Sequence, residues 1–144
     1  MKKTIIVVRN VGGRGKTETL RALGNLIIAD PAIAVIEQIP SDNSERRDFR
    51  LVVRMNERVV GIESQGDPGT RLEVRLIELI NLDCEIIVCA SRTRGETERA
   101  IENVARAQDF QIIWTSTYEN RNRYQHVFLN GLKAQHLLDL IQQI

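Results

Sequence analysis

The most specific chemistry in this sequence lies at Gly12–Thr17, which reads GGRGKT. Gly15, Lys16 and Thr17 match the end of the pattern GxxxxGK[ST]. In that pattern the backbone N–H groups of a glycine-rich turn surround phosphates, a lysine bridges the outer phosphates, and a hydroxyl binds magnesium. Glycines let the chain turn at positive φ and approach an anion unobstructed, and the helix that follows aims the positive end of its dipole at the phosphates. Gly12 and Gly13 extend this turn. Asn10 stands where the pattern has its first glycine, and asparagine tolerates left-handed geometry better than most residues. The run Asn10, Val11, Gly12, Gly13, Arg14, Gly15, Lys16, Thr17 and Glu18 is therefore expected to wrap the phosphates of a nucleoside triphosphate, with ATP and Mg2+ as cofactors. A glycine turn between strand and helix with no ligand is the plainer alternative.

A phosphate loop of this kind needs an acid at the end of a neighbouring strand to organise magnesium and its water. Val59–Glu63 (VVGIE) is an apolar strand ending in a carboxylate, which makes Glu63 the candidate catalytic and metal-binding acid beside Thr17. Asp67, four residues on, is the alternative acid, able to hold the magnesium water or accept a substrate proton. A polar turn closed by Pro68-Gly69 would explain both without a site. Arg92 and Arg94, in SRTR after a buried strand, suit a transferring phosphoryl group, because guanidinium stays charged and bonds bidentately. Exposed arginines at a helix start are equally ordinary. Arg14 could reach across a homodimer or face solvent. Asn120, Arg121, Asn122 and Arg123 could meet a nucleobase or simply fill a polar loop. His126 and His136 have no partner at metal-ligand spacing, Trp114 is expected in the core, and Cys84 and Cys89 read as small buried hydrophobes.

The GGRGKT string resembles the GGxGKT core of the deviant-Walker ATPases, related to partition and division-site proteins, within the P-loop NTPase superfamily. That group carries a lysine where this chain has Val11. The resemblance covers the nucleotide-binding core, about two-thirds of the chain, and implies an ATPase whose Lys16 and Thr17 act on the phosphates and metal. ESQG at Glu63–Gly66 looks like the superfamily's DxxG switch segment with glutamate for aspartate. Superfamily kinases use lid arginines and NTPases use arginine fingers, so Arg92 and Arg94 fit both. Nothing resembles the NKxD guanine-recognition string, which favours ATP over GTP.

The elements that must hold these residues follow from periodicity. Thr4–Val8 (TIIVV) is a β-branched apolar run, expected as the central strand of a parallel sheet. Leu20, Leu23, Leu26 and Ile27 fall at helical spacing until Asp30-Pro31. Ala32–Ile39 reads as a strand, Pro40–Asp48 as a polar loop, and 49–54 with 58–63 as a hairpin about Met55–Glu57. Thr70 is placed to cap a helix carrying Leu72, Leu76, Ile77 and Ile80. Glu85–Ala90 and Gln111–Thr117 read as strands. Between them Ala100, Ile101, Val104 and Ala105 mark a helix, and Gly131–Ile144 reads as another after a loop at Tyr118–Gln125. Strands alternating with helices predict an α/β fold, a three-layer P-loop-like sandwich with a mainly parallel central sheet, right-handed crossovers and an antiparallel hairpin.

At 144 residues one domain is expected, and 42% hydrophobic with 27% charged residues is a globular balance. A formal charge of +1 gives no global field toward nucleic acid or anionic membrane, and the chain lacks an aromatic stacking pattern for single strands. Arg9 ends the leading apolar run too early for a signal peptide, and no run approaches a membrane span, so a cytoplasmic protein is expected. The leading reading is a magnesium-dependent ATPase acting as a nucleotide switch. A small-substrate phosphotransferase and a nucleotide-dependent interaction protein without turnover stand beside it.

Overall fold

A computed structural model describes residues 2–9, 15–41, 48–65, 71–91, 95–118, 122 and 125–144. The elements run β1 (Thr4–Arg9), α1 (Lys16–Ile28), β2 (Ala34–Ile39), β3 (Arg50–Met55), β4 (Arg58–Glu63), α2 (Leu72–Asn81), β5 (Ile86–Ser91), α3 (Glu96–Gln108), β6 (Gln111–Ser116) and α4 (His126–Gln143). All six strands join one sheet in the order β2-β3-β4-β5-β1-β6. β1 pairs in parallel with β5 and β6, β4 pairs in parallel with β5, and β3 alone runs antiparallel to its neighbours β2 and β4.

Alternation along each strand sends side chains to two separate cores. Ile6, Val8, Ile62, Val88 and Ala90 meet α1 and α4, whereas Ile5, Val7, Ile87 and Cys89 meet α2 and α3. The result is a three-layer α/β sandwich. Ile5, Ile6, Val7 and Val8 are all fully buried, each worth roughly 1.5–3 kcal/mol of transfer free energy. The hairpin forms where the sequence places it. Asn56 (φ 51°) and Glu57 (φ 67°) both turn left-handed, as the two central residues of a type I′ connection do to match the twist of β3 and β4.

Several expectations shift. β1 is interior but off-centre, with only β6 beyond it, because the hairpin strands are added at the β4 side. β2 is an edge strand that leaves Val35, Ile36 and Ile39 exposed. The N-cap position of α2 belongs to Arg71 (φ 58°), with no side-chain cap; Thr70 lies outside the described residues. α4 begins at His126 rather than Gly131. Its buried positions are Lys133, Ala134, Leu137 and Ile141, so its first turns carry no inward stripe and periodicity is silent there. Among the described residues no helix is long and apolar enough to cross a membrane.

Candidate functional site

β1, β4, β5 and β6 all end at one edge of the sheet, and α1 starts there. Asn10, Val11, Gly12, Gly13 and Arg14 lie outside the described residues. Gly15 holds the N-cap position of α1 at φ 78°, a backbone state that glycine adopts without the steric cost a Cβ brings. A Cβ there would also come within 3.1 Å of Asn130 Oδ1. Asn130, from the early part of α4, accepts the Thr19 hydroxyl at 3.2 Å, so α4 braces the end of the loop.

Lys16 is the first residue of α1 and is only 5% exposed. Its Nζ donates to the Ser91 carbonyl at 3.5 Å. Ser91 ends β5 opposite Arg9 of β1, so the strand beside β1 delivers a buried hydroxyl residue to this point rather than an acid. A cation at a helix N-terminus opposes the positive end of the dipole, and its burial adds a desolvation cost. An anion bound over the helix start would relieve both. Thr17 is half-buried, and Glu18 is exposed in the same turn.

Among the described residues the acid that hydrogen-bonds Thr17 is Asp48, the last residue of the polar loop Pro40–Asp48. Thr17 Oγ1 donates to Asp48 Oδ1 at 3.4 Å. Ser64 Oγ donates to the same oxygen at 3.1 Å and accepts the Phe49 N–H at 2.7 Å. Because β3 runs against its neighbours, its entrance lies at the edge where the parallel strands end. Asp48 therefore reaches the start of α1 from a strand entrance, not from a strand end.

Glu63 takes a different position. Ile62 faces α1 and α4, so the next residue faces α2, and Ser64 beyond it turns back toward Asp48. Glu63 is 1% exposed and accepts Arg50 Nε at 3.0 Å and an Arg50 terminal nitrogen at 2.9 Å. Arg50 is its direct cross-strand partner and also donates to Glu78 of α2 at 3.1 Å. Burial pushes the Glu63 carboxyl above its ordinary range, and Arg50 offsets only part of that. Burial works against the charge on Arg50 too, but Glu63 and Glu78 together outweigh it and raise its pKa. The structure thus joins Glu63 to Arg50 and α2 rather than to Thr17. Asp67, Arg92 and Arg94 lie outside the described residues, as do Asn120, Arg121 and Arg123.

Elsewhere at this edge, Arg9 pairs with Glu98 at 3.0 Å and lies 4.9 Å from the centre of the Trp114 ring. Trp114, expected in the core, is a half-buried partner at its rim. Lys133 donates to Thr115 and lies over Tyr118, whose hydroxyl meets His136 Nδ1. Cys84 and Cys89 are free and buried, and burial holds the Cys84 thiol up at about 12. Among the described residues no group of three or more His, Cys, Asp or Glu side chains gathers to hold a metal ion. A cation beside Thr17 would need phosphate and water oxygens to complete its shell, the usual habit of Mg2+ at phosphate sites. Comparison with protein-family models, curated proteins and solved structures finds no match to this chain.

Proposed function

We propose that this protein binds a nucleoside triphosphate as its magnesium complex, with the phosphates over the start of α1, and hydrolyses it as a nucleotide-dependent switch of the P-loop kind. The observation that carries the reading is Lys16: a buried ammonium in the first helical turn, directly after a left-handed glycine, beside the carboxyl ends of β1 and β5. Helix stability gives no reason for a cation there, and an oxyanion does. Lys16 would neutralise charge on the β and γ phosphates, and Thr17 would offer its hydroxyl to magnesium. ATP is the expected nucleotide. A switch is favoured because Asp48 and Ser64 tie the Thr17 hydroxyl to the entrance of β3 and the exit of β4. A change at the outer phosphate would reach two strands by that route.

Calorimetry with ATP and GTP in magnesium, paired with phosphate release, tests the reading. Wild type is expected to bind ATP, and Lys16→Ala to weaken it at least ~10-fold, since a hydrogen bond to a charged group contributes about 1.5–3 kcal/mol. Failure of wild type to bind any triphosphate overturns the reading, and binding that survives Lys16→Ala places the nucleotide elsewhere. Phosphate release without an added acceptor supports hydrolysis; release that requires an acceptor makes the protein a phosphotransferase.

A further inference from the structure

We propose that Asp48 is the carboxylate that serves a divalent cation at Thr17, delivered from the entrance of antiparallel β3 instead of from the end of the strand beside β1. This rests on the nucleotide reading above. A hydroxyl carries one proton and two lone pairs. Thr17 directs its proton to Asp48 Oδ1 at 3.4 Å, which leaves its lone pairs for a cation. An ionised carboxylate has two oxygens and about four acceptor positions, so the Thr17 and Ser64 hydroxyls on Oδ1 leave capacity for the cation or one of its waters.

The arrangement is held from behind. The Phe49 N–H fixes the Ser64 oxygen at 2.7 Å, and the buried Ser64 hydroxyl fixes Asp48. Outer partners of this sort orient the groups that touch a metal. Two other strand ends among the described residues are filled differently: Ser91 ends β5, and Glu63 faces α2 in the grip of Arg50. A single carboxylate is enough for Mg2+ when phosphate oxygens and water supply the rest.

Mn2+ is the probe. Free Mn2+ is counted by electron paramagnetic resonance during titration of the full chain with ATP, and ATP binding without metal is measured separately in chelator. Asp48→Asn keeps an oxygen that accepts both hydroxyls but removes the charge. It is expected to weaken Mn2+ capture in the ternary complex by ~10–100-fold, while metal-free ATP binds equally or more tightly because a charge that repels phosphate is gone. Equal Mn2+ affinity in Asp48→Asn and wild type overturns the proposal and leaves the nucleotide reading standing. So does a parallel fall in metal-free and metal-dependent binding, the mark of a structural role. So does an effect confined to Asp67→Asn. Wild type that binds no ATP in either condition overturns the nucleotide reading and the proposal together.

Discussion

Two acids stand near one edge of the sheet and live under opposite conditions. Glu63, on the α2 face, is buried and held by two contacts of 2.9–3.0 Å from Arg50. Asp48, on the α1 face, is exposed and accepts two hydroxyls at 3.1 and 3.4 Å. A buried carboxylate must be neutralised or paired, so its geometry is taken up by its partner. An exposed one held by two hydroxyls keeps spare acceptor capacity. The acid that looks stronger on paper, at the end of an apolar strand, is the less available of the two.

The largest expected effect breaks the captive pair. Arg50→Met leaves Glu63 buried without its cation, and urea unfolding should show a loss of about 3–5 kcal/mol, most of it recovered by adding Glu63→Leu. A loss under about 1 kcal/mol, within the range of an ordinary exposed ion pair, would mean Glu63 is not captive and would restore it as a metal-binding candidate. Gly15→Ala comes next. The left-handed backbone should cost about 1–2 kcal/mol, and displacement of Asn130 should weaken ATP binding as well; a stability change near zero would mean the turn relaxes freely. Asp48→Ala should cost only about 1 kcal/mol, because the carboxylate is exposed and its loss removes one acceptor from the buried Ser64 hydroxyl. A cost equal to that of Arg50→Met would erase the contrast between the two acids.

The smallest effect concerns the thiols on the Glu63 side. The Cys84 pKa is raised from 9.0 to about 12 by burial, so the native state keeps its proton where the unfolded chain has lost it. Its contribution to stability is complete below pH 9 and is lost as pH rises toward about 12. Thermal melts should therefore fall over that window in wild type and fall less in Cys84→Ala. A thiol reagent at pH 8 should label Cys84 and Cys89 only on unfolding, and rapid native labelling would contradict their burial.

Local signals were legible. The strand β1, the left-handed glycine at Gly15 before α1 and the hairpin between β3 and β4 follow from neighbouring residues, because β-branched runs, glycines and turn residues act within a few positions. The availability of Glu63 was not, since a strand end names a location but not a face. One step along β4 separates α1 from α2, and the direct partner, Arg50, becomes visible only with the β3–β4 register. Asp48 escaped for a related reason. Its closeness to Thr17 depends on β3 entering the sheet where other strands leave, a property of topology rather than of any nearby motif. Trp114 reads as a core residue in the sequence, but β6 is the sheet edge and Arg9 covers the ring. The early start of α4 has no periodic signal, because Val127 and Phe128 are exposed and break the inward stripe.

The central claim is that the start of α1 is an oxyanion site centred on Lys16. The most direct test is calorimetric titration of wild type and Lys16→Ala with magnesium-ATP under identical conditions. Binding by wild type and a loss of at least ~10-fold in Lys16→Ala is the expected result. No binding by wild type, or equal binding by both proteins, would contradict it.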